Sequence, residues 1–303
     1  MSLSAFRPRS ATELVDAAVQ LARRHYAPLI TLGALVAIPS VLVGVLSQLV
    51  IRNSSLGVMT GALALVLLPF IFLNGCWTVI GFGAFVKATA AAYLDGRALE
   101  PTAALRAALR HAWQLIAGNV LAGLIVAALF LLVMVVMFIA LMAIGGLLAV
   151  VGRMPAGSAA VAAVGMVMSV LVMGVGGIVA LLVWSQLINV TAIVVLEGLG
   201  PVNALRRSRD LVRGSARHTA AVLLLLAVLW VVVYGTMIFV AMLALRRFEL
   251  ASTVAGALTV LLYPFFGCLL TLLYYDLRIR HEGYDRELMA RALEQQPAAG
   301  VPV

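Results

Sequence analysis

Four histidines are the first residues in this sequence that could take part in metal or acid–base chemistry. They are His25, His111, His218 and His281, and an arginine precedes each one. A metal site needs converging His, Cys or carboxylate ligands, and a neighbouring guanidinium disfavours a bound cation. A phosphate or lipid headgroup suits an Arg-His pair better, although ordinary placement at a membrane interface explains these pairs more simply.

The sequence contains no pattern typical of catalysis. It has no Walker-type phosphate loop, nucleophile elbow or HExxH helix. Its two cysteines, Cys76 and Cys268, lie in apolar runs, where a role as small packing residues is the simpler interpretation. We therefore expect no catalytic residue, no metal site and no cofactor, and the sequence predicts a non-enzymatic protein.

Arginines suited to lipid headgroups lie in three amphipathic segments, each with apolar residues at helical intervals on one face and charges on the other. The arginines assigned to headgroup contact are Arg23, Arg24, Arg106, Arg110, Arg206, Arg207, Arg209 and Arg213. Ser10 and Glu13 have capping-box spacing at the start of the first segment, and Pro101 and Pro201 suit the first turns of the others. Such helices lie in the membrane interface with the basic face toward headgroups, or they form packed elbows between two spans. The sequence leaves both possibilities open.

Uncharged amides inside apolar runs offer a second kind of chemistry. Asn74, Gln186 and Asn189 could line a cavity for a small neutral solute or lipid, and Pro69 and Pro264 interrupt two runs as transporter helices are interrupted. Hydrogen bonds between helices are the simpler role for such amides. No ionisable residue lies in the central portion of any run, which argues against an ion-coupled transporter. A permease or flippase remains the alternative function.

The elements that must position these residues are long apolar helices. Hydrophobic residues make up 64% of the 303 positions and charged residues 11%, which is far from a soluble domain. A bilayer core requires about 20 apolar residues per helix. Six charge-free stretches are long enough, namely Ala27–Ile51, Asn53–Val86, Ala112–Gly152, Met154–Leu196, Thr219–Leu245 and Leu250–Tyr275. The sequence therefore predicts an all-α polytopic membrane protein with six transmembrane helices. The third and fourth exceed a straight crossing, so they tilt, break at glycine clusters around Gly145 or Gly174, or project into water.

The distribution of basic residues predicts the orientation. Seventeen of the 21 Lys and Arg residues lie on the side that holds both termini, and the other four are Arg52, Arg153, Arg246 and Arg247. Short loops rich in Lys and Arg stay in the cytoplasm, so both termini are expected there, in a bacterial inner membrane. Anionic lipids are the expected partners, with a membrane-protein partner or a homo-oligomer also possible. Nucleic acid is not expected, because no basic domain stands apart from the spans.

The chain reads as a single membrane domain, 1–296, followed by a disordered tail, 297–303. Short matches between the amphipathic segments predict three pseudo-repeats, at about 8–95, 101–197 and 201–283, each an amphipathic helix followed by a transmembrane hairpin. A carboxylate ends each hairpin, as Asp95, Glu197 or Asp276. We expect these carboxylates to pair with nearby arginines.

The two ends of the chain resemble a known bacterial family. The residues that carry the resemblance are Arg7, Pro8, Arg9, Tyr274, Tyr275, Asp276, Leu277, Arg278, Arg280, Glu282, Gly283, Tyr284 and Asp285. They are similar to the ends of the glycerophosphoryl diester phosphodiesterase membrane domain family, whose members either carry a fused phosphodiesterase barrel or consist of the membrane part alone. The resemblance implies fold and location, and no segment here could build the catalytic barrel. The leading hypothesis is a non-enzymatic integral membrane protein that organises lipid or docks a partner at the cytoplasmic face.

Overall fold

The computed structural model describes the backbone of residues 8–53, 57–97, 99–151 and 159–284. Within these ranges it describes the side chains outside 47–67, most of 141–164, and positions 168, 172 and 249. Helices account for 91% of the structure, and no strand occurs among the described residues. The helices are α1 Ala11–Arg24, α2 Tyr26–Asn53, α3 Gly57–Leu94, α4 Pro101–Leu109, α5 Ala112–Val151, α6 Ala159–Leu187, α7 Val190–Glu197, α8 Pro201–Val212, α9 Ala216–Leu245, α10 Phe248–Leu258 and α11 Tyr263–Glu282. The predicted tail, 297–303, lies outside the described residues.

Within the part of the chain that the structure describes, six stretches of helix are long and apolar enough to cross a membrane, which confirms the predicted all-α polytopic fold. They are Tyr26–Leu46, Leu68–Leu94, Ala112–Ala140, Gly165–Glu197, Ala216–Leu245 and Leu250–Glu282. Each exceeds the length of about 20 residues that a bilayer core demands. The chain is therefore a multi-pass membrane protein.

A short helix precedes each pair of spans. The capping box at the start of α1 is confirmed, since Glu13 N donates to Ser10 Oγ over 3.3 Å and Ser10 N donates to Glu13 Oε2 over 3.0 Å. Pro101 and Pro201 occupy the first turns of α4 and α8, as predicted. This element order matches the predicted division into three units, although the triplication itself stays a prediction.

The long spans break at places other than the glycine clusters. Helix α5 is continuous past Gly145, and α6 is continuous past Gly174. The fourth span breaks instead at 188–189, between α6 and α7, and the sixth breaks at the 3-10 turn Thr259–Leu262. Pro264 lies in the first turn of α11, so it marks a real interruption, whereas Pro69 lies inside the continuous helix α3.

Most of the buried core lies at the end of the bundle that carries α1, α4 and α8. Leu14 of α1, Phe85 of α3 and Leu273 of α11 are all at most 1% exposed, and α7 contributes buried Ile193. Away from this end, α5, α6 and α9 expose large apolar side chains, including Leu131, Phe138, Met166, Val170, Val231 and Phe239. Lipid tails are as apolar as these side chains, so the exposed faces are stable only within a bilayer. The molecule thus has a packed basic end and an apolar portion that faces lipid.

The apolar sides of the three short helices are buried against protein. Helix α1 packs against α11 and α9, α4 packs against α3 and α2, and α8 packs against α5, α6 and α7. Leu14 and Ala18 of α1 and Leu211 of α8 are at most 1% exposed. The packed-elbow arrangement therefore describes how these helices are held, while contact of their basic faces with headgroups stays a prediction.

Glycines allow the spans to approach closely near the basic end. A Cβ on Gly81 of α3 would collide with the Val36 side chain of α2, and one on Gly267 of α11 would lie 2.9 Å from Phe85 Cβ. Small residues at helix crossings bring backbones together and increase van der Waals contact. Gly81 and Phe85 lie one helical turn apart on α3, so α2 and α11 pack closely against neighbouring positions on one face of α3.

Candidate functional site

A cavity of about 640 Å³ lies beside the basic face of α8. It is lined by Gln186, Arg206, Arg209, Asp210, Val212, Arg213, Gly214 and Ala216. The three arginines are spaced i, i+3 and i+7, which places them on one side of a helix. All three are exposed. Three guanidinium groups against one carboxylate give this cavity a positively charged lining, which is chemically suited to an anion.

Helix α8 is held so that its basic face points away from the core. Its opposite face buries Ala204, Leu205, Leu211 and Val212. The hydroxyl of Ser208 donates to the Gln186 carbonyl over 2.7 Å, which satisfies one of the free carbonyls at the end of α6. This bond holds Gln186 next to α8, so Gln186 and the basic face of α8 line the same cavity.

The turn after α8 closes the cavity on one side. Gly214 has φ +91°, a conformation that L side chains rarely adopt, so glycine suits this position. Ser215 Oγ lies 3.1 Å from His281 Nε2, and a Cβ on Gly214 would lie 3.5 Å from His281 Cε1. Helix α11 therefore braces the turn that connects α8 to α9.

Arg207 does not belong to this cavity, although it was grouped with its neighbours in the predicted headgroup set. Its Nε lies 3.1 Å from Glu197 Oε2, and its guanidinium also pairs with Glu282. Burial disfavours the charged form, but the two carboxylates outweigh burial and raise the pKa of Arg207 above its ordinary value. One residue further along the helix turns the side chain by about 100°, so Arg207 binds protein instead of facing the cavity.

The two partners of Arg207 belong to a wider polar network. Tyr274 OH donates to Glu197 Oε1 over 2.7 Å, and Arg278 Nε donates to Glu282 Oε2 over 2.9 Å. Arg278 also lies over the Tyr284 ring, 4.0 Å from its centroid. The network joins the end of α7, the middle of α8 and the end of α11, so it stabilises the position of the basic face.

A second network centres on Asp276, which is 2% exposed. It accepts hydrogen bonds from Arg9 N over 2.8 Å and Arg280 Nε over 2.7 Å, and His218 Nε2 lies 3.1 Å from its Oδ2. The expected pairing of hairpin-end carboxylates with arginines is thus confirmed for Glu197 and Asp276. Asp276 ties the start of α1 and the start of α9 to α11.

The other four arginines of the predicted headgroup set lie on different helices. Arg23 and Arg24 end α1, Arg106 lies in the last turn of α4, and Arg110 follows it. All four are exposed, and none of them lines the cavity beside α8. The set therefore divides into three cavity residues, one residue that binds protein, and four exposed residues elsewhere.

The three amides assigned to the alternative cavity do not come together. Gln186 lines the basic cavity, whereas Asn74 accepts a 2.9 Å hydrogen bond from Ser40 Oγ on α2. Asn189 is 2% exposed at the break between α6 and α7, and its Nδ2 has no hydrogen-bond partner among the described residues. Their sequence context does not indicate this separation, since each lies in an apolar run.

The two remaining histidines, His25 and His111, take no part in these two polar networks. His111 Nδ1 lies 2.8 Å from Gln114 Oε1, while His25 Nε2 is buried without a hydrogen-bond partner among the described residues. Burial, with the neighbouring charge of Arg24, lowers the pKa of His25. Across the described residues, no three His, Cys, Asp or Glu side chains are grouped so that they could hold a metal ion.

Comparisons of the chain with family models, with curated proteins and with solved structures found no match. The resemblance to the glycerophosphoryl diester phosphodiesterase membrane domain family therefore stays a prediction. The basic cavity beside α8 is the feature from which a function can be argued.

Proposed function

We propose that this chain is a non-enzymatic integral membrane protein of the bacterial inner membrane that binds anionic phospholipid headgroups at its cytoplasmic face. The observation that carries the proposal is the 640 Å³ cavity on which Arg206, Arg209 and Arg213 converge. A guanidinium presents a planar fork of donors that matches phosphate oxygens. Three guanidinium groups on one side of a helix can therefore donate hydrogen bonds to the same phosphate.

The chemistry of the cavity favours a phosphate over a carboxylate or a neutral solute. Its lining carries a net charge of two positive units, counting Asp210, and the Gln186 amide adds an uncharged donor and acceptor. The cavity is also larger than a phosphate requires, which leaves room for the rest of a headgroup. The apolar faces of α5, α6 and α9 keep lipid close to the protein, so a phospholipid is the nearest source of phosphate.

The cytoplasmic location rests on charge. Arg206, Arg209 and Arg213 lie on the side that holds 17 of the 21 basic residues, and such a side faces the cytoplasm under the positive-inside rule. The inner leaflet is rich in anionic lipid, and each Lys or Arg near its surface contributes about 1 kcal/mol of attraction. The proposed site is thus exposed to its ligand.

The test compares a cavity variant with a charge-matched control. The cavity variant carries Arg206→Gln and Arg209→Gln, and the control carries Arg246→Gln and Arg247→Gln, two exposed arginines at the opposite end of α9. Native mass spectrometry of purified protein with phosphatidylglycerol measures affinity. At about 1 kcal/mol per arginine, the cavity variant should lose about thirtyfold in affinity.

Phosphatidylcholine and inorganic phosphate complete the experiment. Phosphatidylcholine should bind wild type and both variants alike, and inorganic phosphate should compete with phosphatidylglycerol in the wild type and in the control but not in the cavity variant. Equal phosphatidylglycerol affinities for the cavity variant and the wild type would refute the proposal, as would an equal loss in the control. Thermal unfolding of each variant checks that it is folded.

The second candidate is a permease or flippase for a small neutral solute or lipid. The observation in its favour is a cavity of about 350 Å³ between α2 and α10, lined by the hydroxyl residues Ser40, Ser252, Thr253 and Thr259 among others. It lies beside the broken sixth span, and Ser40 contacts Asn74. Interrupted helices at a polar cavity are typical of transporters. Solute or lipid flux in proteoliposomes that falls in a Ser40→Val variant would support this candidate, and undetectable flux in wild type would exclude it.

A further inference from the structure

An apolar groove of about 250 Å³ lies where α1 meets the spans α9 and α11. Val19, Ala22 and Arg23 form its α1 side, and Trp230 and Phe266 lie on the facing spans. This groove shares no residue with the cavity beside α8. It is therefore a separate feature of the surface.

The far wall of the groove is built from aromatic side chains that hold one another in place. The Trp230 ring packs edge to face on Phe266 at 5.2 Å between centroids and stacks on Tyr234 at 5.6 Å. Phe265 packs edge to face on Phe266 at 5.5 Å. Such pairs stabilise a defined ring arrangement. The groove therefore has a preformed wall against which an apolar chain can lie.

The groove is open to the surroundings of the spans. Val19 is 39% exposed, Tyr26 is 40% exposed and Leu261 is 47% exposed. One wall comes from α9, which exposes large apolar side chains along much of its length, and another comes from the part of the sixth span that includes the exposed residues Leu258 and Leu261. An acyl chain of a neighbouring lipid can therefore reach it from the side.

Arg23 gives the groove a single positive charge at the end of α1. It lies one helical turn from Val19, next to the position where the first span begins at Tyr26. Arginine side chains place their carbon stems on apolar surface and their charged heads in water. A guanidinium at this junction is positioned for a phosphodiester, with the apolar walls beyond it.

We infer that this groove binds one acyl chain of an anionic phospholipid, whose phosphate pairs with Arg23. The charge at one end and the aromatic wall beyond it match the two parts of such a lipid. A volume of 250 Å³ is below that of a typical site for a drug-sized ligand, about 300–1,000 Å³, so it suits part of one chain. The site goes beyond the headgroup cavity at α8, because here the lipid is recognised by its chain as well as by its charge.

Trp230 reports on the groove directly. The chain has four tryptophans, so Trp77→Phe, Trp113→Phe and Trp184→Phe leave Trp230 as the only tryptophan, whose emission can be excited selectively over tyrosine. Bromine atoms on an acyl chain quench tryptophan at contact distance. In mixed vesicles, the quenching gives the relative binding constant of brominated phosphatidylglycerol over brominated phosphatidylcholine at this position.

The variants distinguish lipid binding at a specific site from contact with the bulk lipid around the spans. One positive charge near the surface should favour phosphatidylglycerol by about fivefold, and Arg23→Gln should reduce that preference to about one. Arg24→Gln is the matched control, because Arg24 is also exposed but does not line the groove. Val233→Phe fills the groove and should reduce the preference while leaving the charge in place.

Three results would overturn the inference. These are a relative binding constant near one in the starting protein, no change in Arg23→Gln, or an equal change in Arg24→Gln. If the triple tryptophan background does not fold, native mass spectrometry of the full chain with Arg23→Gln against Arg24→Gln makes the same comparison. Because α8 is unchanged in all these variants, a negative result for the groove would not count against headgroup binding in the cavity beside α8.

Discussion

Adjacent arginines on α8 have different roles because a helix turns by about 100° per residue. Arg206 lines the basic cavity, whereas Arg207 pairs with Glu197 and Glu282. The helical spacing of Arg206, Arg209 and Arg213 is visible in the sequence, and it implies that Arg207 lies on a different side of α8. Its partners were harder to foresee, since Glu197 and Glu282 come from the ends of two other helices and no local pattern brings them together.

Replacing Arg207 should affect stability more than ligand binding. Arg207→Gln leaves two half-buried carboxylates without their shared cation, which should cost about 1–2 kcal/mol of unfolding free energy. The apparent midpoint of thermal unfolding in detergent should fall by a few degrees. Arg206→Gln should leave the midpoint unchanged and lower phosphatidylglycerol affinity. The reverse pattern, with Arg206→Gln the less stable variant, would contradict the assignment of the two arginines.

His25 should make stability depend on pH. Burial and Arg24 lower its pKa below the ordinary value of about 6.5, so the unfolded chain takes up a proton before the folded chain does. The folded state is therefore favoured above pH 6.5 and loses this contribution as the pH falls through the lowered pKa. Thermal unfolding of wild type and His25→Gln at pH 7.5 and pH 5.5 measures the effect. The unfolding temperature of the wild type should fall more between pH 7.5 and pH 5.5 than that of His25→Gln. Equal decreases in the two proteins would show that His25 does not contribute to the pH dependence.

At the scale of the elements, the sequence predicted where helices begin better than where they break. Ser10 with Glu13, Pro101 and Pro201 mark helix starts, because capping and proline act locally. The break at 188–189 follows no Gly or Pro, whereas the glycine cluster around Gly174 lies in continuous helix. In lipid a helix keeps its backbone hydrogen bonds unless packing offers others. Tertiary contacts of α7 therefore decide that break, and the sequence alone does not show them.

The crossing of α2 and α3 gives a direct test of helix packing. Gly81→Ala should destabilise the protein by about 1–3 kcal/mol, because the added methyl collides with Val36, a branched side chain with little freedom to move. Gly75→Ala on the same helix is the control, since a Cβ there meets nothing within 4 Å. Thermal midpoints in detergent compare the two. If both variants unfold at the same temperature, the close approach of α2 and α3 at Gly81 is wrong.

At the scale of the whole molecule, length and composition were sufficient to predict the six spans. A bilayer core imposes a minimum length on every apolar helix, and six charge-free stretches satisfy it. What composition did not predict is that the buried core concentrates at the basic end, where Leu14, Phe85 and Leu273 are packed. That packing depends on contacts between residues far apart in the chain.

The orientation can be tested with cysteine labelling. In a Cys76→Ala and Cys268→Ala background, an impermeant maleimide added to spheroplasts should label Arg246→Cys and spare Arg97→Cys. Both positions are exposed, but they lie on opposite sides of the membrane if the 17 basic residues are cytoplasmic. Lysed spheroplasts, in which both should react, control for access. Labelling of Arg97→Cys in intact spheroplasts would reverse the proposed orientation.

Anionic headgroup binding at α8 is the central claim, and an experimental structure in lipid nanodiscs tests it most directly. Nanodiscs that contain phosphatidylglycerol should show density for a phosphate within hydrogen-bond distance of Arg206, Arg209 and Arg213. The same density should be absent in nanodiscs of phosphatidylcholine alone. A cavity that contains only solvent in phosphatidylglycerol nanodiscs, with ordered lipid elsewhere around the spans, would contradict the claim.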